Sequence, residues 1–389
     1  MKNLSRRSML MSAGAMLGAS LLPTLKAGQI RSSPSKSRGK IDYSSEAVCL
    51  SDFEALARKR MSHMAYELIA GGAADEITVR WNREALDQIR LRPKVLLDVS
   101  QVNTRTTLFG QDLSFPVLLA PTSFHRIYHP EGELATARGA SAGGAIYVVS
   151  SATTTLIEDI AKVSTQPLWF QMYVQFDREF SRDVIKQAEA AGCRALCVTV
   201  DTPVLGARNR QQRAKVTMPP GLKAPYLSDL NAGRGTLNEQ KNYTMTWKDI
   251  DWILSIARVP VLLKGILNPD DAERAAKAGV AGVIVSNHGG RNLDTLPATI
   301  TALPAIAEKV ASRIPILMDG GIRRGTDVLK ALALGAKAVL IGRPYLYGLG
   351  IAGAEGVTQI LKILRNELEM AMALTGRPNL ASIDQSLIW

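Results

Sequence analysis

The residues that usually announce chemistry are scarce in this chain of 389 residues. Cysteine occurs three times, at Cys49, Cys193 and Cys197. These form neither an even disulfide set nor a metal-ligand spacing, so neither a disulfide framework nor a metal site is expected. Cys193 and Cys197 straddle the start of an apolar run, where a thiol serves as a small packing residue. Aromatic residues make up 5% of the chain, and no basic stripe is interleaved with them, which speaks against nucleic-acid binding. Acidic residues are missing from residues 1–40, where eight lysines and arginines account for most of the net charge of +12. The remainder is nearly balanced. Histidine occurs four times, at His63, His125, His129 and His288. What is plentiful is apolar material, 46% of the chain, enough for the core of one large domain or of two.

The acid-free region has an order of its own. Ser5-Arg6-Arg7-Ser8-Met9-Leu10 sets paired arginines before an apolar run ending near Leu22. That run is too short to span a bilayer comfortably, and it has the basic front and apolar middle of an export signal. Paired arginines point to the twin-arginine route, hence to export of a folded protein into the periplasm. A frayed basic tail is the plainer alternative. Leu25-Lys26-Ala27 is a poor cleavage site, which leaves an uncleaved membrane anchor open. The expected organisation is a signal over 1–27, a Ser/Lys/Arg-rich disordered linker over 28–45, and one domain over 46–389.

In that domain Ser51, with Glu54 three residues later, marks a helix start running to about Arg60. Further helical stretches cover 64–70 and 75–89, on either side of Gly71-Gly72. From Phe115 a repeat sets in. Apolar, β-rich runs at 116–120, 145–149, 168–174, 195–200, 261–264, 282–286, 316–318 and 338–341 alternate with helical segments. Eight strands and their helices predict a (β/α)8 TIM barrel with an N-terminal helical extension. A doubly wound sheet is the alternative, but it would want a phosphate-binding glycine cluster after the first strand. Residues 203–247 form a long insertion after the fourth strand. Its first part carries Arg208, Arg210, Arg213, Lys215 and Lys223 with no acid, as either a solvated loop or a lid that attracts an anion.

In a parallel barrel the strands' carboxyl ends carry the chemistry. Val283–Asp294 reads as such an end: His288 lies among glycines, with Arg291 three residues on. This is either a base beside a fixed positive charge, suited to an anionic substrate that loses a proton, or a polar turn. Lys264, at the fifth strand's end, either faces a ligand or snorkels to solvent. Asp319-Gly320-Gly321-Ile322-Arg323-Arg324 follows the seventh strand and Gly342-Arg343-Pro344 the eighth. Glycines and arginines in those two loops form a phosphate site.

From Asp52 to the C-terminus the chain resembles the FMN-dependent 2-hydroxy acid oxidase and dehydrogenase family, which includes glycolate oxidase, lactate oxidase and mandelate dehydrogenase. The matching motifs are Gly-Gly-Ala-Ala-Asp-Glu (71–76), Ala-Pro-Thr (120–122), His-Pro-Glu-Gly-Glu (129–133) and Thr-Val-Asp-Thr-Pro (199–203). Leu-Lys-Gly (263–265), Ser-Asn-His-Gly-Gly-Arg (286–291), Asp-Gly-Gly-Ile-Arg-Arg-Gly (319–325) and Ile-Gly-Arg-Pro (341–344) continue the series in order. The resemblance implies oxidation of a small anionic L-2-hydroxy acid to the 2-keto acid. His288 would be the base, oriented by Asp201. Arg208 and Arg291 would bind the substrate carboxylate and Tyr173 the reacting oxygen, while Lys264 would sit beside the flavin where negative charge develops. Pro121, Thr122, Ser150, Gln171 and Thr199 would contact the isoalloxazine. Asp319, Gly321, Arg323, Gly342 and Arg343 would hold the ribityl phosphate, with Ser123, Ser286 and Gly320 completing the cofactor set. The acceptor would be oxygen, a quinone or a cytochrome, and the assembly a homo-oligomer, a tetramer by the same resemblance.

Leu68 stands where the family has a substrate-binding tyrosine, and Ala152 where glycolate oxidase has a tryptophan. Together they predict a larger, drier pocket that favours medium-chain or aryl substrates over glycolate. The rival from another enzyme class is a barrel isomerase or aldolase whose phosphate loops hold substrate and whose Lys264 forms a Schiff base.

Overall fold

Runs of valine, isoleucine and leucine without polar alternation are stable as strands only when both faces are covered. The computed structural model describes residues 47–227 and 245–389, and the expected export signal and linker lie outside them. A short antiparallel hairpin comes first, β1 (Thr106–Leu108) and β2 (Gln111–Leu113). Eight parallel strands follow: β3 (Val117–Leu119), β4 (Tyr147–Ser150), β5 (Leu168–Met172), β6 (Leu196–Thr199), β7 (Val261–Ile266), β8 (Gly282–Val285), β9 (Ile316–Asp319) and β10 (Ala338–Ile341). They close in chain order, β10 pairing with both β9 and β3. This is the predicted (β/α)8 barrel.

The interior is filled by Leu118, Val148, Trp169, Cys197, Leu262, Ile284, Leu317 and Leu340. The hairpin, which the sequence reading did not anticipate, seals the amino-terminal end. Its Leu108 and Leu113 join that interior, Phe109 lies 5.7 Å from the Trp169 ring, and Trp169 Nε1 donates to Gln111 Oε1 at 2.9 Å. Cys193 and Cys197 are packing residues as expected, and burial pushes both thiols up to about 12.

Among the described residues three helices precede the barrel: α1 (Leu50–Arg60), α2 (His63–Ala70) and α3 (Ile77–Gln88). Ser51 is not the cap of α1. Cys49 holds that position, and the Asp52 carboxylate accepts from the backbone N–H of both Val48 and Cys49 at 2.9 Å. A charged acceptor serving two N–H groups outcompetes a serine hydroxyl. The start of α3 has no side-chain cap of its own. Asp294, from the loop after β8, accepts from the N–H of Asp75 (3.0 Å), Ile77 (3.2 Å) and Thr78 (2.8 Å). Asn82 and Asn287 exchange amide hydrogen bonds at 3.0 and 2.8 Å. The extension is thus fastened to the His288 loop.

The outer layer consists of α4 (Gly132–Gly143), α5 (Ile157–Val163), α6 (Arg178–Ala190), the short α7 (Asn209–Arg213), α8 (Trp247–Ile256), α9 (Pro269–Ala278), α10 (Thr299–Val310), α11 (Gly325–Ala333) and α12 (Arg343–Leu374), the last interrupted at Ala352 and Gly353. The insertion after β6 is described as far as Leu227 and again from Met245. Its α7 rests on the extension, where Arg210 pairs with Glu67 at 2.5 Å and with Glu76 at 3.3 Å. Of the five basic residues in the first part of the insertion, Arg210 is therefore committed to acids, and only Arg208 reaches the central cleft.

Candidate active site

One cleft opens at the carboxyl ends of the strands, bounded by loops from β3, β8, β9 and β10 and by α2. It encloses about 1250 Å³ counted out to its open mouth. Its lining extends from α2 across the loops after β3, β8, β9 and β10, a span that suits a larger prosthetic group together with a substrate. Pro121, Thr122, Ser123, Tyr173, Arg208, Lys264, His288 and Arg291 all line it, as do Asp319, Gly320, Gly321, Arg323, Gly342 and Arg343.

His288 occupies a left-handed conformation (φ 57°), followed by Gly289 and Gly290 in the same region. A non-glycine residue there is strained and must be held. Its N–H donates to Ser286 Oγ at 3.1 Å, and its Nδ1 meets Asp201 Oδ1 at 3.0 Å. Asp201 comes this close to β7 because Gly265 (φ 110°) bulges the strand: a Cβ there would fall 2.5 Å from the Asp201 side chain. Burial pulls the imidazole below the ordinary histidine value, and the Asp201 charge restores it only in part. Burial pushes the Asp201 carboxyl up, but His288 and Lys264 outweigh it, so the group stays ionised. With Nδ1 bound to a carboxylate, Nε2 of a neutral ring is left as the basic nitrogen.

Beside it stand arginines without acids. Among the described residues no carboxylate lies within ion-pair distance of Arg208, Arg291, Arg323 or Arg343. Arg291 donates to the Gly71 carbonyl at 2.7 Å, and Arg208 to the Arg291 carbonyl at 3.4 Å. Burial, then the neighbouring Arg208 charge, brings Arg291 down to about 9. Arg343 falls to about 10, through burial and then Arg291. Like charges buried together without counter-charge are costly, and an anionic ligand relieves that cost.

The opposite wall fits a flavin mononucleotide. Asp319 places Oδ2 3.1 Å from Lys264 Nζ, while its Oδ1 is buried without a partner, as a ligand hydroxyl would require. Lys264 Nζ also donates to Ser286 Oγ at 2.9 Å. Burial pulls the Lys264 ammonium down, but Asp319 and Asp201 more than offset this, so it remains charged. Gly342 begins α12 without a side-chain cap, which leaves first-turn N–H groups for a phosphate. The Arg343 side chain departs from expectation. Its guanidinium donates to the carbonyls of Ile69, Gly289 and Gly71 at 2.8–3.1 Å, so it ties α2 to the His288 loop. Arg323 is the guanidinium on the glycine loop itself.

Ser150, Gln171 and Thr199 are buried one layer below the cleft wall. Ser150 Oγ donates to Gln171 Oε1 and Gln171 Nε2 to Thr199 Oγ1, both at 2.9 Å. Ala152 and Leu68 do line the cleft, and Phe124, Ala224 and Leu227 pack in one apolar cluster with Ala152. Tyr128 adds a phenol to the same lining. Sequence reasoning passed over Tyr128, which immediately precedes the His-Pro-Glu-Gly-Glu motif. The only available signal was a phenol beside that motif.

Among the described residues no group of histidine, cysteine or acidic side chains could hold a metal ion. Residues 57–389 match the model of the FMN-dependent dehydrogenase family. The chain is similar to an L-lactate oxidase of Nostoc sp., 44% identical over 88% of this chain and 98% of that protein. It is also 44% identical to a 2-hydroxyacid oxidase of Dictyostelium discoideum, over 88% of this chain and 90% of the other. A crystal structure of mandelate oxidase with (S)-2-phenylpropionate superposes with a TM-score of 0.81 at 38% identity, covering 88% of this chain and 98% of that one. The isomerase or aldolase alternative is overturned by these matches, and the charged Lys264 gives the chemical reason, since a Schiff base needs a neutral amine. The chain belongs to the FMN-dependent 2-hydroxy acid oxidase family: its cofactor is FMN, and it is an oxidoreductase acting on the CH–OH group of L-2-hydroxy acids.

Proposed function

We propose that this enzyme prefers L-2-hydroxy acids with a side chain larger than that of glycolate, such as mandelate or 2-hydroxyhexanoate. The observation that carries this reading is the apolar wall of Phe124 and Ala152 in a cleft whose other side bears Arg208, Arg291 and His288. Arg208 and Arg291 take the carboxylate. This orients the substrate carbon toward His288, whose Nε2 accepts a proton, and Asp201 stabilises the imidazolium that results. Tyr173 donates its phenol to the reacting oxygen. Lys264 holds a positive charge at the inner edge of the flavin site, paired with Asp319. Bound FMN supplies the two-electron acceptor for this oxidation. A further support is that the similar mandelate oxidase has been crystallised with (S)-4-hydroxymandelic acid, an aryl 2-hydroxy acid.

The test is a rapid-mixing screen of flavin bleaching against glycolate, lactate, 2-hydroxyhexanoate and mandelate. Burying an added apolar group contributes about 25 cal/mol per Å², so mandelate should exceed glycolate in kcat/KM by roughly tenfold or more. Equal or better use of glycolate would sink the size preference while leaving the family chemistry intact.

A further inference from the structure

We propose that Tyr128 is a substrate-binding residue, and that its phenol forms with Arg208 and Arg291 a three-donor clamp on the substrate carboxylate. This rests on the reading of those two arginines given above and adds a residue to it.

Tyr128 follows the short helical turn His125–Ile127, and its N–H donates to the His125 carbonyl at 2.9 Å. Phe124 starts that turn in a left-handed conformation (φ 58°), with its N–H on the Ala152 carbonyl at 3.0 Å. The His125 ring backs Tyr128 at 6.4 Å. His125 is itself fixed, by Thr122 Oγ1 at 2.7 Å and Thr136 Oγ1 at 2.9 Å. The phenol therefore projects from a rigid base into the cleft that Arg208, Arg291 and His288 also line. Its hydroxyl has no hydrogen-bond partner among the described residues, and Tyr128 is only half-buried, so the group is open to the cleft and free to donate to a ligand there. Both guanidiniums lie close enough to act on its ionisation, and neither is engaged by an acid.

An unsatisfied hydroxyl and two uncompensated cations facing one void define a receptor for a small carboxylate. Burial, the largest influence on the phenol, pushes it well above the ordinary tyrosine range, so it remains a donor throughout the working pH range. Tyr173 lines the same cleft from the end of β5, leaving that phenol for the reacting oxygen. Leu68, also on the wall, can offer no hydrogen bond, so Tyr128 is the second phenol available to an anion here.

A donor that holds the carboxylate equally in the ground and transition states changes affinity rather than the saturated rate. The experiment uses FMN-loaded protein and oxalate, a carboxylate with no C–H bond to lose, followed through its perturbation of the flavin spectrum. Tyr128→Phe keeps the ring and its packing on His125 and removes only the hydroxyl. The Kd for oxalate and the KM of the best 2-hydroxy acid should rise together, by at least fivefold. The rate of flavin reduction at saturating substrate should stay within threefold of the native value. A smaller rise in the Kd for oxalate overturns the proposal. If the native protein itself binds no oxalate and no 2-hydroxy acid bleaches its flavin, the arginine clamp fails with it. A native protein that does both, with an unaffected phenylalanine variant, refutes the Tyr128 assignment alone.

Discussion

The two ends of the barrel are made by the same eight strands and are opposite in character. At the amino-terminal end apolar packing dominates: leucines from the hairpin continue the interior, and Trp169 donates to Gln111 Oε1, with Gln111 Nε2 the polar atom left over there. At the carboxyl end groups are left wanting. Asp201 Oδ2, Asp319 Oδ1 and Thr299 Oγ1 are buried without partners, His288 is strained, and arginines crowd without acids. Unsatisfied groups lower stability and raise the gain from a ligand that satisfies them. One end therefore serves the fold, and the other withholds stability that only bound anions and hydroxyls restore.

The contrast is broken most severely at the functional end. His288→Ala should keep its flavin yet lose about 10²–10⁴-fold in substrate-driven flavin reduction, the usual worth of a positioned base. A near-normal reduction rate in this variant would mean that another group takes the proton. In the native enzyme kcat/KM should rise with pH, because the base must be neutral. Burial holds His288 below its ordinary value, so the plateau should be reached below the pH at which an exposed histidine titrates.

At the sealed end the effect should be smaller and of another kind. Trp169→Ala empties the space between the hairpin and the barrel interior, at a cost of about 3–5 kcal/mol of stability. Denaturant unfolding of the flavin-loaded protein would measure it, and kcat of the surviving folded protein should change little. A comparable loss in kcat would show that the two ends are mechanically coupled. Smallest is Arg323→Ala, which removes one charge-assisted contact to phosphate, worth about 1.5–3 kcal/mol, or roughly tenfold or more in FMN affinity. Flavin retention on dialysis reads this directly, and undiminished retention would move the phosphate to another wall.

The barrel was legible because fully buried parallel strands leave uninterrupted apolar runs, and each of the eight was found within a few residues. The hairpin β1–β2 was not, since each of its strands has only three residues, two of them polar. Gly-Gly and His-Gly-Gly marked the strand ends correctly, because left-handed backbone has a residue signature. Partnerships across the chain have none. Nothing local in the sequence shows that Arg210 is neutralised by Glu67, that Arg343 turns toward Gly71, or that Tyr128 enters the cleft. Local patterns likewise favoured Ser51 as a cap over Cys49, because a Ser-x-x-Glu match does not reveal which carboxylate the backbone selects.

The carboxylate of Asp294 carries a consequence for the order of assembly. The residues whose N–H groups it receives lie 216–219 positions earlier in the chain. Helix α3 emerges early during synthesis, yet its first turn cannot be completed until the segment after β8 exists. Contacts so distant in sequence form late, after the loop between them has closed. The same segment carries His288 and Arg291. The docking of α3 and the setting of the catalytic loop are therefore one event, so a chain truncated before Asp294 has neither.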